Sequence, residues 1–155
     1  MRIASAALIL LALTACGRGE APTPAVAMSP TSAVASATVG GATLQASTVN
    51  IADLNATIAS RYGIDLAQEG VLLLVTVRDA AGNGIDLGDL QVTATAGTLT
   101  DTPKPLELRA ISTDGMTDYI GVFRAKAPAS VQFRLAATRA GARADIATTA
   151  ELQPR

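Results

Sequence analysis

The chain has 155 residues and is close to electroneutral, with 12 Lys and Arg against 13 Asp and Glu; it contains no histidine, no tryptophan, one cysteine, two tyrosines and two phenylalanines. A near-neutral balance excludes the basic footprint of a nucleic-acid binder, and four aromatic rings are too few to fill a core and also build stacking platforms for bases or sugars. The lack of histidine removes the commonest general base and a leading metal ligand together, so no Ser-His-Asp or Cys-His set can be assembled.

The N-terminus opens with one positive charge, Arg2, followed by an apolar run over residues 3–13 broken only by Ser5. This has the layout of a secretory signal over residues 1–15 and is too short for a transmembrane helix, which needs about 20 apolar residues. The run ends in Leu13-Thr14-Ala15-Cys16, which resembles the bacterial lipobox. The resemblance implies cleavage before Cys16 and acylation of its thiol. An ordinary secretory signal cut after Ala15, with Cys16 left as a free thiol, is the alternative. Mature bacterial lipoproteins carry several acyl chains, which gives the stable anchoring that one chain does not. Gly17 stands where an aspartate would retain the protein in the inner membrane. The expected location is therefore the outer membrane, on its periplasmic face. A processed chain of about 140 residues suits one domain and a tail. With Cys16 acylated, no disulfide can form within the chain.

Residues 16–42 read as the lipidated cysteine and a disordered linker. Pro22, Pro24 and Pro30 interrupt helix, and Ser, Thr, Ala and Gly fill the intervals. A domain is expected over residues 43–153. Residues 43–51 are β-permissive. A short helix follows, with Asp53 or Asn55 able to cap it, Leu54, Ile58 and Tyr62 on the face expected to pack on the sheets, and Gly63 at the C-terminal cap. Residues 71–77, Val-Leu-Leu-Leu-Val-Thr-Val, predict a strand covered on both faces. Ala80-Ala81-Gly82-Asn83-Gly84 is a turn. Alternation then predicts strands near 90–96, 106–111, 119–125, 131–137 and 144–152, separated by turns at Asp114-Gly115 and Ala140-Gly141 and a break at Pro128. About seven strands with one short helix after the first predict a mainly β chain, an immunoglobulin-like antiparallel β-sandwich.

The segment from Asn50 through Leu54 to Ile58-Ala59-Ser60-Arg61-Tyr62-Gly63-Ile64, followed by the apolar strand, resembles the opening of an uncharacterised proteobacterial periplasmic family known only as a domain of unknown function. In that family a strand passes through Asn-Thr-x-Phe-Leu into a helix ending Ala-Tyr-Gly-Ile. The resemblance spans roughly residues 44–152. Asp53 departs from it, standing where the family has phenylalanine. It implies the same β-sandwich and supplies no activity, so no functional residue is carried over. A broader likeness to bacterial immunoglobulin-like modules rests on Val75-Thr76-Val77-Arg78-Asp79-Ala80-Ala81-Gly82-Asn83-Gly84.

Asp79, Asn83, Asp86 and Asp89 form the densest group of oxygen ligands, all in or beside one connection. They are the candidates for calcium, although their spacing does not follow the Asp-x-Asp-x-Asp-Gly loop and Asp and Asn are ordinary turn residues. Asp101, Asp114 and Asp118 read first as turn and solubility residues. A copper carrier would need clustered Met and His, and only Met28 and Met116 survive processing. Arg124, Lys126, Arg134, Arg139 and Arg143 are the densest positive set, read as a solvated sheet surface or as a contact for an anionic partner. The expected function is a non-catalytic, lipid-anchored accessory or binding module of the bacterial envelope, with no cofactor, held to the membrane by its lipid and partnered by another envelope protein. The alternative is a small-ligand or calcium-binding lipoprotein.

Overall fold

Strand-forming residues at alternate positions dictate the architecture of residues 34–154, the part of the chain that the computed structural model describes. The signal, the lipobox and most of the linker reading lie outside these residues. Nine strands form two antiparallel sheets: β1 Ala35–Val39, β2 Ala42–Asn50, β3 Gly70–Arg78, β4 Gln91–Thr98, β5 Lys104–Leu106, β6 Arg109–Thr113, β7 Met116–Arg124, β8 Ala129–Arg139 and β9 Ala142–Leu152. One sheet has the order β1-β2-β3-β7-β6 and the other β5-β4-β8-β9. Setting aside β1 and β5, the remaining strands reproduce the two-sheet arrangement of an immunoglobulin constant-type sandwich, A-B-E-D against C-F-G.

The two additions account for the difference from the expected seven. The segment 35–39 lies in the stretch read as linker; it is Ala-Ser-Ala-Thr-Val, and its small residues give no hydrophobic contrast to mark a strand. The run 106–111 is divided between the sheets. Leu106 closes β5 opposite Ala94, Glu107 and Leu108 cross over, and Arg109 opens β6 opposite Ile120.

The core lies between the sheets. Val71, Leu73, Val75 and Val77 of β3 face Val131, Phe133, Leu135 and Ala137 of β8, with Leu44, Ala46, Ala94, Ala96, Ile146, Ala150 and Leu152 around them. Phe123 and Phe133 meet edge to face, with centroids 6.4 Å apart and planes at 83°, the geometry that opposes ring edge to ring face. Leu72 and Ile120, on the reverse face of the first sheet, are also buried. The segment between β2 and β3 covers that face with a 3-10 turn, Ile51–Asp53, and helix α1, Ala56–Tyr62.

Asn55 is the cap of α1, its side chain accepting from the Ile58 N–H at 2.8 Å, and Gly63 ends the helix at φ 62°. Of the expected packing face, Leu54 and Tyr62 are half-buried and Ile58 is 37% exposed, while the fully buried residue of the helix is Ala59. The helix is also tied to the sheet by the Arg109 guanidinium, which donates to the Tyr62 carbonyl.

Candidate functional site

The Asp79–Asp89 connection is built from self-contained turns. The Asp79 carboxylate accepts from the backbone N–H groups of Ala81 and Asn83, each at 2.8 Å, and from the Asn83 side-chain amide at 3.2 Å. These donors, the Asn83 N–H foremost, hold its pKa below the ordinary aspartate value. Asp86 accepts from the Gly88 N–H at 3.1 Å, and Asp89 reaches across the molecule to the Ala140 N–H at 2.9 Å. Among the described residues no three acidic, histidine or cysteine side chains gather to hold a metal ion. Each of the three carboxylates, Asp79, Asp86 and Asp89, is engaged by the peptide donors of a turn, and the Asn83 side chain bonds Asp79. Leu13, Thr14, Ala15 and Cys16 lie outside the described residues.

The positive set divides. Arg139 donates to the carbonyls of Gly40 and Asp86, at 2.8 and 2.7 Å, and so ties the β1–β2 and β8–β9 turns to the Asp79–Asp89 connection. Arg124 donates to the Gln68 side chain at 2.8 Å. Arg143 pairs with Asp145 at 2.7 Å. That hydrogen bond lowers the Asp145 pKa and raises that of Arg143. Both groups are solvent-exposed, so the pair adds little to stability.

Arg134 is different. It sits mid-strand on β8, opposite Thr95 of β4 and Ala147 of β9. Its exposed side chain has no hydrogen-bond or ion-pair partner among the described residues. Around it the outward face of the second sheet is small and flat. Thr93, Thr95, Ala136 and Ala147 floor a shallow depression of about 690 Å³ rimmed by Pro105, Arg143 and Asp145. The sequence contains the signal for this surface in the outward positions 93/95, 134/136 and 145/147, but such alternation marks any solvated face. A second depression, of about 490 Å³, lies at the end of the sandwich between the turn after β4 and the β7–β8 connection, with Leu99, Phe123, Arg124 and Lys126 in its walls.

Among the described residues no helix is long and apolar enough to cross a membrane. A search of curated protein sequences returns no match. Among solved structures, the chain is similar to a DUF4426 family protein from Pseudomonas aeruginosa, with TM-score 0.60 and 19% identity over 79% of this chain and 96% of that one. It is also similar to FetP of uropathogenic Escherichia coli expressed in the periplasm, with TM-score 0.50 and 12% identity over 81% of this chain and 98% of that one. A copper-bound FetP variant gives TM-score 0.51 and 11% identity over 77% and 90% of the two chains. At these identities the likeness establishes the β-sandwich. Residues 36–152 match the profile of a domain of unknown function, DUF4426, in agreement with the resemblance read from residues 44–152. The chain is a member of the uncharacterised DUF4426 family.

Proposed function

We propose that the chain is a non-catalytic, lipid-anchored accessory module on the periplasmic face of the outer membrane, which binds another envelope protein. Leu13-Thr14-Ala15-Cys16 supports the anchoring, and the periplasmic expression of the similar FetP fold is consistent with the compartment. The copper in the FetP variant does not carry over: the chain has no histidine, and Met116 is the sole methionine among the described residues.

The observation that carries the binding role is the flat Thr93/Thr95/Ala136/Ala147 face with the unpaired Arg134 at its centre. Arginine is enriched at protein interfaces and is a common anchor near their centres. The partner would place a carboxylate opposite Arg134. The test is crosslinking in living cells from a photoreactive residue at Ala147, with membrane fractionation and mass spectrometry. The expected result is an outer-membrane protein acylated at Cys16, crosslinked to one recurrent envelope protein, with Arg134→Glu abolishing the adduct. An adduct unchanged by Arg134→Glu would remove this face from the interface. A Cys16 without acyl chains would remove the anchor.

A further inference from the structure

The two ends of the sandwich differ in what they expose. At one end lie three tight hairpin turns, Gly40-Gly41, Asp114-Gly115 and Ala140-Gly141, together with the Asp79 turn; all are glycine-rich or polar. The other end is defined by the close of β2, β4, β7 and β9, and the Asn50 side chain bridges the sheets there by donating to the Glu151 carbonyl at 3.3 Å. Of the large apolar side chains exposed among the described residues, Leu99, 69% exposed, stands at this second end. Ile58 and Leu66, 37% and 42% exposed, stand on the segment that leaves and rejoins the sandwich there.

Leu99 is held outward by its turn. The Asp101 N–H bonds the Thr98 carbonyl at 3.3 Å, the Thr98 hydroxyl bonds the Asp101 carboxylate at 2.7 Å, and the Thr98 and Thr100 hydroxyls meet at 3.1 Å. Every polar side chain of the turn is thus directed into the turn itself, and the leucine is left at the tip. Arg124 and Lys126 share the adjoining depression, where long cationic side chains can reach headgroups while their stems lie along apolar surface.

The direction of β1 supplies the occupant. Ala35 pairs with Ala46 and Val39 with Ala42, so β1 runs from mid-sheet toward the hairpin end. The chain therefore enters at Val34, itself 62% exposed, from the Leu99 side. Residues 17–33 separate Val34 from Cys16. Seventeen residues reach at most about 60 Å, a bound set by chain length alone. A lipid on Cys16 would hold the domain within that distance of the bilayer. Contacts too weak to recruit a free protein then become intramolecular and populated.

From this geometry, and resting on the lipid-anchored reading, we infer that the Leu99 end of the sandwich docks on the surface of the bilayer that holds the lipid. Leu99 enters the headgroup–acyl boundary and the hairpin end is presented to the periplasm.

The chain has no tryptophan, so the variants Leu99→Trp and Thr113→Trp place single indole reporters at opposite ends. The processed chain beginning at Cys16 is coupled through that thiol to a maleimide phospholipid in phosphatidylethanolamine–phosphatidylglycerol vesicles. This fixes the tether whether or not the cell acylates the cysteine. Brominated acyl chains are expected to quench the indole at position 99 at least about twofold more than the indole at position 113, with a blue shift at position 99 alone, as burial of about 5–10 Å into the interface requires. Equal, weak quenching at both positions would overturn the docking, and stronger quenching at position 113 would reverse the orientation. Mass spectrometry of the native protein from membranes reports acylation separately, so loss of the anchor reading and loss of the docking surface are distinguishable results.

Discussion

Ala140 occupies a left-handed conformation, φ 49°, beside Gly141 at φ 75°. Two consecutive positive φ values make the type I′ turn that suits the twist of a hairpin, but an alanine there bears a steric cost of about 1–2 kcal/mol. Asp89 offsets part of it by accepting the Ala140 N–H from outside the hairpin. Ala140→Gly is therefore expected to raise stability by about 0.5–1 kcal/mol, and Asp89→Ala to lower it by about 1 kcal/mol, both read by urea denaturation. Tyr119 gives a second residue-scale outcome. It lies on the inward face of β7, and burial raises its pKa above the usual tyrosine value. Because the unfolded chain ionises first, stability is fully present below the unfolded pKa, about 10, and is lost as pH rises through the folded value. In a Tyr62→Phe background, the absorbance titration at 295 nm should place Tyr119 above free tyrosine, with the melting temperature falling over the same alkaline range. The aspartates show how far a site can be read from sequence. Asp79, Asn83, Asp86 and Asp89 are identifiable as turn-associated oxygens, but a carboxylate looks alike in sequence whether it meets a cation or a peptide N–H. The register that brings Asp89 to Ala140 exists only in three dimensions.

At the scale of elements, legibility follows side-chain size. The 71–77 strand and the 131–137 strand are unmistakable because valine, leucine and phenylalanine alternate or run together there, and Asn55 and Gly63 mark the ends of α1 by their chemistry. β1 is hidden because alanine, serine and threonine serve strand and linker equally well; only Gly40-Gly41, a type I′ signal with φ 51° and 80°, points to a hairpin. The β5–β6 division is hidden for another reason. The alternation of Leu106, Leu108 and Ala110 continues across the crossover, and what permits the chain to change sheets lies on a different strand. A Cβ built on Gly121 of β7 would stand 2.8 Å from Leu106 Cδ2 and 3.0 Å from Leu108 Cδ2. The crossing leucines occupy the space that a side chain at position 121 would take. Gly121→Ala should therefore displace the crossover and destabilise the fold by about 1–3 kcal/mol, the usual cost of overpacking. A lower urea midpoint, with the largest amide shifts in residues 104–111, is the expected result.

For the molecule as a whole, the decisive feature is where the folded unit begins. The sequence pattern places the boundary at residue 43, whereas the structure extends the first sheet to Ala35. β1 pairs along β2 from Ala42 to Ala46 and lies against β9 of the opposite sheet, so it shields one open side of the sandwich. Val39 is 2% exposed, and Ala35 and Ala37 are half-buried against the core. Removing the strand would also leave the Arg139 guanidinium without the Gly40 carbonyl it bonds. Burial of one valine is worth about 1.5–3 kcal/mol. Loss of the neighbouring contacts adds to this, and β2 becomes an unpaired edge of the kind that recruits other chains. A chain starting at Ala42 should therefore unfold at a urea concentration lower by the equivalent of about 2–4 kcal/mol than one starting at Val34. It should also show concentration-dependent association through the freed β2 edge. Equal midpoints for the two chains would mean that residues 34–41 add nothing to the stability of the folded unit.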